Sequence, residues 1–216
     1  MEAFIQKKPL EAHNPKKQLW LFALSVLLIL LNILSNNIYP FLAPDAPVNG
    51  QIAVVAGWMP DKALAKTAER LAGSDYQLIL TSGGELEYGS LFSEYPNYAE
   101  LAKATLQVDG INSAVISAVP SERTVKAGEI AASAVAVRTW LAENRPEVTR
   151  FDLFAPGPQA RRARLIFHRT LGDSFEIGVI SIPLENVPTR KWGRSGEGLR
   201  VVGGELLALL HDAVPF

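Results

Sequence analysis

The chain has 216 residues, 48% of them apolar, with 21 basic against 22 acidic side chains and no cysteine. So even a balance is too close to neutral to imply nucleic acid or an acidic membrane surface as partner, and the lack of cysteine excludes disulfides, thiolate catalysis and thiolate metal sites. Charge is nevertheless uneven: residues 1–18 set Lys7, Lys8, Lys16 and Lys17 against Glu2 and Glu11, a net +2, which leaves −3 for the remainder of a chain totalling −1.

Immediately after those lysines, Leu19 to Leu34 is apolar except for Ser25 and Asn32. As a helix that run is about 24 Å long, and with Trp20, Tyr39 and Phe41 at its borders it reaches across a hydrocarbon core of roughly 30 Å. The lysines place residues 1–18 in the cytoplasm as a basic tail and everything from about Asn36 onward outside it. Residues 19–35 are then a transmembrane anchor. Two other readings share the layout. A cleavable signal peptide needs a small-x-small site beyond the apolar run, and here Ala43 and Ala46 are each followed by proline. A buried core helix would have to hide a segment with no polar face.

Residues 36–50 hold three prolines and several turn formers and read as an extended linker. The expected domain, 51–216, has about 165 residues, enough for one substantial core. Its first strand is Ile52–Ala56, apolar on both faces as a doubly covered strand must be, followed by a helix over Lys62–Ala72. Strands at Gln77–Thr81, Ala114–Ala118, Phe151–Ala155 and Ile177–Ile182 alternate with helices at Asn97–Val108, about Thr124–Glu143, Ala160–Leu171 and near Glu197–Asp212. Five strands alternating with helices predict an α/β fold, a Rossmann-like doubly wound and mostly parallel sheet with helices on both faces.

In such folds ligands bind outside the carboxyl ends of the strands. Those loops carry Gly57-Trp58, Ser82-Gly83-Gly84-Glu85, Pro120 to Thr124, Pro156-Gly157-Pro158-Gln159, and Pro183 with Glu185. The glycine pair of Ser82-Gly83-Gly84 can supply positive φ and close backbone approach to an anion, or simply a tight strand-to-helix turn. Neither a dinucleotide fingerprint nor a phosphate loop is present, and no nucleophile elbow is found. Of Arg161, Arg162 and Arg164, at the start of the fourth expected domain helix, Arg162 is the candidate to meet an anionic ligand. The other two read as solvated or structural charges. His13, His168 and His211 show no metal-ligand spacing. Acid–base work would fall to carboxylates such as Glu85, Glu94 or Glu129. Trp192, among basic and glycine residues, either packs where the last helix docks or lines a pocket.

Val54-Val55-Ala56-Gly57-Trp58, Ser82-Gly83-Gly84, Ser121-x-x-Thr124 and Gln159-Ala160-Arg161-Arg162-Ala163 together resemble the ElyC/SanA/YdcF family. The ending around Trp192, Glu197-Gly198 and Arg200 resembles that of one of its subgroups. The resemblance covers roughly residues 50–212. It implies a Rossmann-like domain, often behind an N-terminal anchor in the bacterial inner (plasma) membrane, with a periplasmic role in envelope integrity and peptidoglycan or surface-polysaccharide homeostasis. It also implies binding roles for Gly57, Trp58, Ser82, Gly83, Gly84, Ser121, Thr124, Gln159 and Arg162. At least one cytosolic member is thought to bind S-adenosylmethionine, but the resemblance assigns this chain neither cofactor nor reaction. Gln159 stands where the family has histidine, Arg123 where asparagine is expected and Gly193 where a second tryptophan stands. Glutamine can hydrogen-bond a ligand but cannot act as a general base. The leading expectation is an anchored domain that binds a small anionic ligand and supports envelope assembly, in company with envelope-assembly proteins. A transferase using Glu85 and a partner-binding module are the alternatives.

Overall fold

A computed structural model describes residues 15–86, 93–122 and 128–214. Lys7, Lys8, His13, Arg123 and Thr124 lie outside the described residues. Among the described residues there are six α-helices: α1 (Pro15–Leu42), α2 (Asp61–Ala72), α3 (Tyr98–Val108), α4 (Gly128–Asn144), α5 (Ala160–Leu171) and α6 (Gly196–Ala213). They surround a sheet of β1 (Asp45–Ala46), β2 (Ile52–Ala56), β3 (Leu78–Gly83), β4 (Ile116–Pro120), β5 (Arg150–Pro156) and β6 (Glu176–Ile182). The order is β1-β6-β5-β2-β3-β4, with every pairing parallel except β1 against β6.

The five expected strands and five domain helices are all found, with ends shifted by a few residues. Alternation within β2 explains the layering. Ile52 and Val54 join an apolar cluster with residues of α4 and α5, while Ala53 and Val55 join a second cluster with residues of α2 and α3. A strand whose successive side chains point to opposite faces needs apolar residues throughout when both faces are covered. Caps fix two of the helix starts. Asn97 Oδ1 accepts from the Glu100 amide at 2.8 Å, and Ser195 Oγ from the Gly198 amide at 3.0 Å.

The region 36–50 differs from the extended linker read in the sequence. Helix α1 continues through Pro40 to Leu42, and residues 45–46 form a strand on the β6 edge. Tyr39 and Leu42 are buried in a third cluster with Val187, Val202 and Leu209. Proline inside a helix removes one donor and costs about 3 kcal/mol; burial of two large side chains, at roughly 1.5–3 kcal/mol each, offsets it. Upstream the situation reverses. The side chains described between Lys16 and Asn37 are exposed, Leu19, Trp20 and Phe22 by 67–77%, so this segment is not a core helix of the domain. It is long and apolar enough to cross a membrane.

After β1 the chain is clamped by a carboxylate that the strand reading did not single out. Asp152, fully buried in β5, accepts from the Val48 amide at 2.6 Å, the Gly50 amide at 3.1 Å and the Tyr76 hydroxyl at 2.9 Å. Gly178 on β6 makes room for it, since a Cβ there would lie 1.9 Å from Asp152 Oδ1.

Candidate functional site

The chain leaves β2 towards β3 and β4 on one side, then returns to β5 on the other. Parallel strands whose connections diverge in this way open a crevice at their carboxyl ends. The loop after β2 brings Trp58 there and the short 3-10 turn Gly157–Gln159 after β5 brings Gln159. Trp58 Nε1 donates to Gln159 Oε1 at 2.8 Å. Gln159 Nε2 faces Glu205 Oε1 at 3.4 Å, and Glu205 accepts from Arg162 Nε at 2.7 Å and Nη2 at 3.2 Å. Arg162 Nη1 reaches Asp212 Oδ2 at 3.4 Å. Five residues from four segments thus form one hydrogen-bonded chain. Glu205 and Asp212, seven apart on α6, were not singled out in the sequence; that two-turn spacing on one face was the available signal.

Arg162 therefore differs from the free anion-binding cation expected of it. Burial alone would lower its pKa, but the hydrogen bond and charge of Glu205, with Asp212, more than compensate and hold it charged. With two carboxylates around one guanidinium the trio is net −1. Arg161 stacks over the Phe41 ring, 4.1 Å from its centroid, and donates to the Phe41 carbonyl. Arg164 Nε donates to the Ile177 carbonyl at 2.7 Å. Both have structural work, as expected.

The glycine turn is occupied by the chain itself. Neither Gly83 nor Gly84 adopts positive φ. A Cβ on Gly57 would sit 2.6 Å from the Tyr98 carbonyl oxygen, and one on Gly83 2.7 Å from Tyr98 Cβ. These glycines admit the first residue of α3 against the strand ends. Their backbone groups are also engaged: the Gly57 amide donates to Ser82 O at 2.7 Å, and the Ser121 and Tyr98 amides donate to Gly83 O and Gly84 O at 3.1 and 2.8 Å. Gly84 alone of the three leaves ordinary contact space, 3.5 Å from Ser121 Oγ.

Beside this turn lie three buried hydroxyls. Ser82 Oγ is 3.5 Å from the Ser133 carbonyl and Ser121 Oγ 3.5 Å from Ser133 Oγ, at the outer limit of a hydrogen bond. Ser133, from α4, is an addition to the residues read from sequence. Glu85 is exposed, and its backbone bridges to Asn97. Among the described residues no His, Cys, Asp or Glu cluster has the makings of a metal site.

A cleft of about 480 Å³, within the size range of small-molecule sites, opens beside the loop after β6. Its walls are the start of α2 (Pro60 to Ala63), the loop after β6 (Leu184 to Val187) and the start of α6 (Glu197 to Val201). Lys62 and Glu185 pair across it at 2.6 Å, and Arg200 pairs with Glu197 at 2.6 Å. The Arg200 hydrogen bond lowers the Glu197 pKa and Glu197 raises that of Arg200. Leu184 and Val187 also touch the third cluster, which holds Tyr39 and Leu42. The end of α1 therefore docks at this same end of the sheet. No family model, no curated protein and no solved structure matches this chain.

Proposed function

We propose that this chain is a membrane-anchored small-ligand-binding domain whose site is the crevice at the carboxyl ends of β2, β5 and β6. In this reading the sheet is a doubly wound, Rossmann-like one, supported by the divergence of the chain on either side of β2 and by apolar clusters on alternate residues of that strand. Helix α1 crosses the bacterial inner membrane with residues 1–18 cytoplasmic, supported by the lysines ahead of the span. Retention of α1 is supported by the burial of Tyr39 and Leu42, because cleavage near Ala43 would detach two members of a packed cluster. The likeness to the ElyC/SanA/YdcF family rests on the quoted motifs alone and suggests envelope biogenesis or barrier integrity as the setting.

The observation that carries the ligand reading is the Trp58–Gln159 hydrogen bond over the seam between β2 and β5, together with a cleft of ligand size between the starts of α2 and α6 and the loop after β6. Lys62, Arg162 and Arg200 each face a carboxylate. The anionic preference expected from Arg162 loses its support, and the ligand we propose is a polar molecule held by hydrogen bonds. Gln159 would orient it, and Ser82 and Ser121 of the adjoining strand ends, with Ser133 of α4, would supply hydroxyls. One observation favours the partner-binding alternative. A groove of about 450 Å³, lined by Ala118 to Pro120, Val135 and Trp140 among others, runs along the edge strand β4.

The test is thermal unfolding of the full chain in lipid nanodiscs against a set of polar metabolites and sugar nucleotides. A ligand that raises the midpoint in the native chain, and does so much less in Gln159→Ala, supports the crevice. Equal stabilisation of both, or none in either, contradicts it.

A further inference from the structure

The loop that follows β6 returns to α1 and grips it at a definite height. Trp192, in the 3-10 turn Trp192–Arg194, donates its indole N–H to the Ser35 carbonyl at 2.8 Å. Ser35 lies 18 residues beyond Lys17, which is about 27 Å along a helix. That nearly equals the thickness of a hydrocarbon core, so if Lys17 marks one face of the bilayer then Ser35, Asn36 and Asn37 mark the other. A tryptophan fixed to Ser35 would then stand at the height where tryptophans concentrate in membrane proteins, its ring packed against the cluster that holds Tyr39 and Leu42.

The rest of the loop matches that position. Residues 186–196 contain Arg190, Lys191 and Arg194 and no carboxylate, in a chain that is otherwise slightly acidic. All three are exposed, and no ion pair joins any of them to another described residue. Leu199, 53% exposed, has its Cδ2 4.0 Å from where a Cβ on Gly193 would stand, so an apolar surface sits beside the cations. Lys191 holds a left-handed φ of 58°, a conformation costly for a residue with a Cβ, which here begins the turn that carries Trp192. Cations near an anionic lipid surface contribute favourably and independently of any protein partner.

We infer that the Arg190–Arg194 loop with Leu199 is a bilayer-docking surface, its guanidinium and ammonium groups lodged among lipid phosphates on the side of the membrane that holds the domain. The occupant is the headgroup layer of the bilayer that α1 crosses. Docking at a second point besides α1 would stop the domain from pivoting on its anchor and would hold the cleft after β6 next to the membrane surface. This inference rests on the reading of α1 as a span.

The native chain has no cysteine, so single-cysteine spin labels report without background. Labels at Arg194→Cys, at Leu27→Cys in mid-span, and at Asp109→Cys at the far end of α3 are compared in nanodiscs containing anionic lipid. The readout is collision with a water-soluble relaxer against collision with oxygen. We expect the label at 27 in hydrocarbon, that at 109 in water, and that at 194 at phosphate depth with several-fold less aqueous collision than at 109. Replacing Arg190 and Lys191 by alanine should move the label at 194 back towards water in anionic bilayers. A label at 27 in hydrocarbon with 194 as aqueous as 109 overturns docking while leaving the span intact. An aqueous label at 27 contradicts the span and this inference together.

Discussion

Trp58 and Gln159 are 101 residues apart in the chain and joined by a 2.8 Å hydrogen bond across two neighbouring parallel strands. The tryptophan can only donate through its ring nitrogen, so Gln159 must present its carbonyl oxygen, which turns its amide towards Glu205. A histidine at this position could accept from Trp58 through one ring nitrogen and offer the other. Glutamine keeps the acceptor-and-donor pattern while giving up proton transfer.

That bond should be measurable as a coupling. In a double-mutant cycle of Trp58→Phe with Gln159→Ala, urea unfolding of the full chain should give an interaction energy of about 1 kcal/mol. Strict additivity would mean that the two side chains do not act on each other in solution.

Arg162→Ala leaves Glu205 and Asp212 without their shared cation in a partly buried setting. We expect a loss of about 2–3 kcal/mol, less than for a fully buried pair because all three side chains keep some contact with water. The double change Arg162→Met with Glu205→Gln should restore part of it. A single variant as stable as the native chain would show that Arg162 is held loosely.

The two glycine positions separate packing from ligand contact. Gly57→Ala forces a Cβ against the Tyr98 carbonyl and should cost about 2 kcal/mol or more, whereas Gly84→Ala meets only ordinary contacts and should change the unfolding midpoint little. If Gly84→Ala nevertheless abolishes the ligand response, the turn touches ligand through its backbone.

Much of this architecture was legible in the chain because short, mostly apolar runs alternate with longer segments, the helical period being plain over Lys62–Ala72. What was missed has a common cause: long-range packing overruling local signals. Pro40, Pro44 and Pro47 read as an extended tether, yet the cluster around Tyr39 and Leu42 holds the helix past Pro40, and Asp152 captures the amides of Val48 and Gly50 from more than 100 residues away. Asp152 itself looked like one polar residue in a strand. Arg162 was picked out as a cation near the strand ends, but the carboxylates that occupy it stand on α6, where no local pattern ties them to it.

Two tyrosines should differ in what they contribute. Tyr39 Oη is buried without a hydrogen-bond partner among the described residues, so Tyr39→Phe should raise stability by up to about 1 kcal/mol. Tyr76 donates to Asp152, and burial, then the Asp152 hydrogen bond and charge, raise its pKa above the ordinary 10.0. A raised folded pKa means that its stabilisation is complete below pH 10 and fades as pH climbs towards the folded value. Unfolding free energy should therefore fall above pH 10 in the native chain and fall less in Tyr76→Phe; identical alkaline profiles would contradict the clamp. Burial also raises the Tyr39 pKa, so part of the alkaline loss should persist until Tyr39 is replaced as well.

The most direct measurement uses the absence of native cysteine. Single cysteines at Gln6 and at Asp109 are challenged with a membrane-impermeant maleimide in bacterial cells whose outer membrane has been permeabilised. The account predicts that Asp109→Cys is labelled in intact cells, while Gln6→Cys reacts only after the inner membrane is disrupted. Labelling of Gln6→Cys from outside with protection of Asp109→Cys would place the domain in the cytoplasm and contradict the account.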